Sequence, residues 1–346
     1  MKQWFFVHFA QHLQQSSEQL SFEWLIDPQQ QVFLQHHIFS GQCLVPAAIS
    51  AELCVQAAMQ FAQLTPQVNP VQIRYPKITI ESFNIKRPLA LASNEQIRLF
   101  ISATHVKGGG YKVSLRRHLY HANGKLLRHN VLVAQSVIQI STAIPTTTER
   151  PYLSQLNSMS KALYQSFDFG QANYYKLINP SHGDLFQSLT GKCTLSTDQQ
   201  WLVSEFNIED KEQRYSHIDD LPFVCSPLAI DSVLQACVLS CIQVESKRHE
   251  DFFSKLPVAM SQVQFFQPFQ FNHLYQCMLN LVSLDDQTQV LRAWVKDQQG
   301  QLIAYFDSIT LHRAPNERRL ACQFERDYHR FLLTDQQSKP DVEVLC

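Results

Sequence analysis

The segment from Ala47 to Ala62 is apolar on nearly every face of a helix, reading Ala47-Ala48-Ile49-Ser50-Ala51-Glu52-Leu53-Cys54-Val55-Gln56-Ala57-Ala58-Met59-Gln60-Phe61-Ala62 behind Pro46. A helix without a polar face has no solvent side, so other elements must enclose it. A second such helix opens at Ser226-Pro227, where Ser suits the N-cap and Pro the first helical position. Ile230, Val233, Leu234, Cys237, Val238, Cys241 and Ile242 then recur at helical spacing. Two enclosed helices far apart in one chain require two enclosures.

The remaining segments supply them. Strand-like alternation covers Ile78 to Ile85, Gln96 to Val106, Tyr111 to Tyr120 and Val131 to Ser141 in the first half. It returns in Gln200 to Phe206, Met260 to Phe269, Tyr275 to Val282, Val290 to Val295 and Leu302 to Arg313. Asn123-Gly124 and Gln298-Gln299-Gly300 are hairpin-turn signals. Between the halves, Ser141 to Pro151 is polar and flanked by Pro, as a linker is. A long helix packed on an antiparallel sheet, twice over, is an α+β arrangement. The expected division is residues 1–145, a linker at 146–160, residues 161–315, and a charged, Gln-rich tail at 316–346.

Composition excludes several function classes. The 346 residues carry a formal net charge of −1, without the basic excess of a nucleic-acid binder. Only nine Gly are present, and their one cluster, Gly108-Gly109-Gly110, fits neither a dinucleotide fingerprint nor a P-loop. Nine Cys without C-x-x-C spacing, mostly inside apolar runs, read as reduced thiols of a cytoplasmic protein. The apolar start, Trp4 to Val7, is too short for a signal peptide, and no run is long enough for a membrane span.

Two segments carry chemistry. His37, Gly41 and Pro46 form H-x-x-x-G-x-x-x-x-P directly before the first helix. Chance matches to this pattern are rare, although a hairpin His, a Gly turn and a Pro-started core helix would look the same. In the second helix, Asp231 and Gln235 are four apart and share a face. A carboxylate on an apolar helix is costly unless it is paired or used. The same D-x-x-x-Q spacing occurs at Asp27/Gln31, Asp285/Gln289 and Asp297/Gln301, but not on an apolar helix. The plainer reading of Asp231 is a helix-start carboxylate complementing the dipole.

Together these segments resemble the dehydratase domains of polyketide synthases, over roughly residues 20 to 315. Phe83-Asn84-Ile85-Lys86-Arg87-Pro88-Leu89 is similar to a further stretch of that family. His182-Gly183-Asp184-Leu185-Phe186 stands where the family usually has Y-G-P-x-F, with Gly183 and Phe186 matching and His182 and Asp184 departing. The resemblance implies a double hot-dog fold, two sheets each wrapped around a long helix. It implies loss of water from a β-hydroxyacyl thioester, with His37 as base, Asp231 as acid and Gln235 holding Asp231 or touching the hydroxyl. Gly41, Pro46, His182, Gly183 and Phe186 are the implied substrate-binding residues.

The residue types suit that reaction. A neutral imidazole can take an α-proton, and burial among apolar groups is expected to keep the Asp231 carboxyl protonated. Backbone N–H groups near Gly41 and the start of the first helix could face an enolate oxygen. No metal or redox cofactor is required, and no metal-ligand spacing or G-x-S-x-G nucleophile occurs. His105, His118, His121 and His129 read as surface or structural residues.

The chain begins at Met and contains no ketosynthase, reductase or carrier segment, so a free-standing enzyme is expected, working in trans with an acyl carrier protein and other synthase components. A homodimer is compatible with this reading; nucleic acid and membrane are not expected partners. Lys86-Arg87, Arg116-Arg117 and Lys247-Arg248 are candidate contacts for an acidic carrier. The alternatives are a cyclase, as in the product-template domains of fungal synthases, a double-bond isomerase with the same His/Asp pair, or a non-catalytic acyl-binding double hot-dog.

Overall fold

The computed structural model describes residues 4–39, 41–64, 77–120, 125–141, 164–177, 181–215, 223–245 and 255–314. The Asn123-Gly124 turn, His121, most of the linker, Lys247-Arg248 and the tail lie outside these residues.

Helix α1 (Phe5–His8) and strands β1 (Ala10–Gln15), β2 (Gln19–Ile26), β3 (Ile38–Phe39) and β4 (Gln42–Leu44) lead into the long helix α2 (Ala47–Leu64). Strands β5 (Lys77–Ile85), β6 (Ala90–Leu91), β7 (Ile97–His105), β8 (Tyr111–Tyr120) and β9 (Leu126–Ser141) complete the first half. The second half runs β10 (Tyr164–Asp168), α3 (Gln171–Leu177), β11 (Leu189–Ser196), β12 (Trp201–Ile208) and the long helix α4 (Pro227–Glu245). It ends with β13 (Lys255–Phe265), β14 (His273–Leu284), β15 (Thr288–Asp297) and β16 (Leu302–Arg313).

Both long helices form where the sequence places them. Ser226 Oγ accepts the Ala229 N–H at 3.0 Å, as an N-cap does. Strands β1, β2, β10 and β11 lie outside the expected strand segments, yet β2 carries the signal: Leu20, Phe22, Trp24 and Ile26 alternate into the core.

Thirteen strands form one sheet in the order β1-β2-β7-β8-β9-β5-β13-β16-β15-β14-β12-β11-β10. The first six positions belong to the first half of the chain and the last seven to the second. Helix α2 packs on β2, β5, β7, β8 and β9, whereas α4 packs on β12 to β15. This is the double hot-dog arrangement. The halves join where β5 pairs antiparallel with β13, Ser82 opposite Ser261 and Phe83 opposite Met260.

A second junction lies between the helices. Glu52 of α2 is fully buried. Its carboxylate accepts the Val224 N–H at 2.5 Å, the Cys225 N–H at 2.9 Å and the Gln56 side-chain N–H at 2.8 Å. A first-half side chain thereby ties down the backbone that enters the second-half helix. Glu212 works from the other side, accepting the Leu228 N–H at 2.8 Å and the Ser226 hydroxyl at 2.6 Å.

Burial pushes the Glu52 carboxyl up to about 8, against the pull of its three donors and with help from the charge of Glu212. Burial likewise raises Glu212 to about 7, against its bonds to Ser226 and Leu228. Both folded values exceed the ordinary 4.5. The folded chain therefore holds more protons than the unfolded chain between these limits, and stability falls as pH rises through that window. Melting temperature is expected to drop between about pH 5 and about pH 8, and Glu52→Gln to flatten the drop; an unchanged slope in the variant would refute the linkage. Glu52→Ala, which strands the part-buried Val224 amide and the buried Cys225 amide, is expected to cost about 3 kcal/mol in denaturant titration.

Candidate active site

His37 follows a 3-10 turn (Val32–His36) and opens the hairpin of β3 and β4. Its Nδ1 lies 2.8 Å from the Leu44 carbonyl oxygen. A carbonyl only accepts, so Nδ1 holds the hydrogen and Nε2 is left as the basic atom. Gly41 turns this hairpin in the left-handed region, at φ +78°. The Leu44 and Val45 amides are already engaged, with His37 O at 2.9 Å and Leu89 O at 2.9 Å. Pro46 stands directly before the first residue of α2.

The loop around His182 is held against this hairpin by backbone. His37 and His182 form an antiparallel bridge. The Ile38 N–H donates to Ser181 O at 3.0 Å and the Gly183 N–H to His36 O at 2.8 Å. Contact dictates the Gly at 183, because a Cβ there would lie 3.0 Å from the His36 Cα. His36 Nδ1 in turn pairs with Asp184 at 2.7 Å. The residues that replace the family's Tyr and Pro therefore have partners of their own. Phe186 is fully buried, its ring 5.6 Å from that of His37, so it packs behind the imidazole.

Asp231 projects from the second turn of α4 and is 4% exposed. Gln235, one turn on, donates to Asp231 Oδ2 at 2.6 Å and to Phe186 O at 2.9 Å. Its oxygen accepts the Tyr175 hydroxyl hydrogen at 2.8 Å. Tyr175, from α3, accepts the Ser188 and Leu189 amides at 2.8 Å each. The Gln235 amide is thus used within the protein, in the geometry of a clamp on Asp231. Tyr175 is the site residue that sequence reasoning missed. An aromatic pair on a short helix carries no signal of that role.

His182 completes the cluster. Its Nε2 is 3.5 Å from Asp231 Oδ2, and its ring stands edge-on to that of His37 with centroids 4.8 Å apart. The ligand-type atoms of His37, His182 and Asp231 all lie within 4.8 Å of one another. Two imidazoles and a carboxylate are a donor set that could hold a metal ion. No sequence spacing announces it, because the three come from three separate segments.

The charges differ from the sequence expectation in one respect. Burial and the neighbouring His182 lower His37 to about 4, with Asp231 and the Leu44 carbonyl opposing, so the imidazole is neutral at pH 7. Burial by itself would raise the Asp231 carboxyl. The hydrogen bond and charge of His182, the charge of His37 and the Gln235 amide outweigh it and hold the group below its ordinary value. The expectation that burial alone keeps Asp231 protonated is therefore corrected: apolar surroundings do not decide a carboxyl that has two imidazoles and an amide around it.

Among the described residues, His105, His118 and His129 lie away from this cluster. His105 packs on Phe61 and Tyr111, and His118 on Phe100 and His129. Lys86 and Arg87 are exposed, and Arg116 binds the Asn130 carbonyl. No helix among the described residues is long and apolar enough to cross a membrane.

Comparison with known proteins agrees with this geometry. A family model described as the polyketide synthase dehydratase N-terminal domain matches residues 142–321, and one described as the polyketide synthase dehydratase domain matches residues 8–118. No curated protein matches by sequence. Among solved structures, the dehydratase domain from the CurJ module of curacin polyketide synthase is 14% identical, with a TM-score of 0.65, covering 88% of this chain and 96% of that one. The dehydratase domain of PpsC from Mycobacterium tuberculosis, in complex with C12:1-CoA, is 13% identical, with a TM-score of 0.63 over 86% and 94% of the two chains. A trans-AT synthase dehydratase domain from Brevibacillus brevis is 15% identical, with a TM-score of 0.63 over 87% and 97%. With family models on both halves, and a His and an Asp meeting between those halves, the chain belongs to the polyketide synthase dehydratase family, the hydro-lyases of β-hydroxyacyl thioesters.

Proposed function

We propose that the chain removes water from a β-hydroxyacyl thioester carried on the phosphopantetheine of an acyl carrier protein, supplied in trans. The observation that carries this reading is the convergence of His37, His182 and Asp231, all within 4.8 Å, from opposite halves of the fold. His37 Nε2 takes a proton from the carbon next to the thioester carbonyl. Asp231, which its neighbours hold ionised in the ligand-free site, takes up a proton as the substrate enters and gives it to the β-hydroxyl; the C–O bond breaks, water leaves and the double bond forms. Gln235 clamps Asp231, and Phe186 supports the imidazole from behind. Gly41, Pro46 and Gly183 shape the backbone around the thioester, and amides near Gly41 and in the first turn of α2 face the enolate oxygen.

In the CurK dehydratase, a histidine-to-phenylalanine variant and an aspartate-to-asparagine variant are both inactive, which supports a His/Asp pair as the working groups here. The buried thiols Cys43, Cys54, Cys225, Cys237 and Cys277 support a reducing, cytoplasmic setting. The working halves on this reading are residues 1–145 and 161–315. The substrate's pantetheine is the only prosthetic group involved.

A β-hydroxyacyl pantetheine thioester is expected to lose one water mass on incubation with the protein, and His37→Ala and Asp231→Asn each to slow this by about 100-fold or more. An unchanged rate in either variant overturns the assignment. A cyclised product without free enoyl thioester would instead point to a cyclase.

The base works only when neutral, and its value is about 4. The acid limb of kcat/KM is therefore expected near pH 4, where an ordinary histidine would place it at about 6.5. A limb near 6.5 would contradict the buried setting of His37. Chelator treatment is expected to leave turnover unchanged; loss restored by zinc would assign His37, His182 and Asp231 to a metal instead.

A further inference from the structure

Proton accounting leaves a gap that the geometry fills. Each turnover puts a proton on His37 and takes one from Asp231. Before the next, the proton must return from base to acid. Both groups are buried, His37 at 8% exposed and Asp231 at 4%. Beside both stands a third titratable side chain, His182, that the dehydration scheme does not use.

We propose that His182 is a catalytic residue of this enzyme, carrying the proton from His37 back to Asp231. The inference rests on the dehydratase reading above. Three observations support it. First, His182 Nε2 lies 3.5 Å from Asp231 Oδ2, and the nearest donor atoms of His182 and His37 lie within 4.8 Å, a span closed by a small ring rotation or one water. Second, the backbone bridge between His37 and His182, with hydrogen bonds on both sides of it, fixes the two rings opposite one another. Third, Ser181 Oγ stands 3.3 Å from His182 Nδ1 and can accept a hydrogen kept there, so that Nε2 is the atom that takes up a proton and passes it to Asp231.

The step balances without a co-reactant. The His37 Nε2–H bond breaks and a His182 Nε2–H bond forms. That bond then breaks as Asp231 Oδ2 takes the proton. Asp231 regains its acid form and His37 its lone pair, while His182 ends unchanged.

The charged and titratable groups around His182 are few. His37 and Asp231 face it directly. His36, Asp184 and Arg214 form a chain of ion pairs beside its loop, at 2.7 Å and 3.6 Å. Tyr175 and Tyr215 are buried near Asp231, and burial pushes both phenols up, so neither can hold or release the proton at neutral pH.

The test compares His182→Gln and His182→Ala with wild type on the pantetheine substrate. Gln can still donate a hydrogen bond to Asp231 but cannot carry a proton. If His182 merely lines the pocket or positions Asp231, Gln restores activity. If it carries the proton, both variants lose about tenfold or more in kcat with KM within about twofold. Free imidazole then restores turnover in the Ala variant, which has room for it, and not in the Gln variant. A Gln variant with wild-type kcat, or a loss falling wholly on KM, overturns the proposal. Melting curves confirm that the variants fold; should Ala not fold, the Gln variant decides alone. Wild-type activity that needs His37 and Asp231 but is untouched by His182→Gln refutes this inference only. Wild-type protein that releases no water refutes the dehydratase reading and this inference with it.

Discussion

The working groups of this protein come from two halves of the chain, so the structure depends on what holds those halves in register. Two features do so. The β5–β13 pairing makes one sheet of two. The Glu52 carboxylate, reaching from α2 to the amides of Val224 and Cys225, fixes where α4 begins. A helix rises about 1.5 Å per residue, so a shift of one residue at its start moves Asp231 by about that distance and turns it by about 100°. Either change would take the carboxylate away from His182 and His37. A buried charge-capable group is costly, and its place here follows from the alignment it enforces.

The site is built in the same manner. Gln235 binds Asp231, Tyr175 binds Gln235, and the Tyr175 oxygen accepts the amides that open β11. On the other wall, Leu44 holds the His37 ring and the bridge to His182 holds its backbone. Each reactive side chain thus has a partner that fixes its angle, and each partner rests on a strand or helix. Such supports make the geometry of a site reproducible from one turnover to the next.

Much of the fold could be read from the chain. Both long helices, their start signals and most strands follow from periodicity, since buried faces impose it. Strands β1 and β10, at the two edges of the sheet, were harder to see, because an edge strand needs little apolar alternation; five of the six residues of β1 are exposed. In the site, His37, Asp231 and Gln235 stood out by spacing, and His182 by the loop it occupies. Tyr175 and Glu52 did not, because a hydrogen bond across 60 residues or 172 residues leaves no local trace.

The sequence by itself determined two enclosed helices, the strands to enclose them, and a His and an Asp–Gln pair placed at the starts of those helices. Those are local properties, set by side-chain periodicity and capping. Only the tertiary structure decided that a second imidazole stands beside both base and acid, and that Asp231 is held below its ordinary value despite burial. The ionisation of a buried group is fixed by the charges and donors within a few ångströms of it, and which groups those are is known only once the distant segments have met.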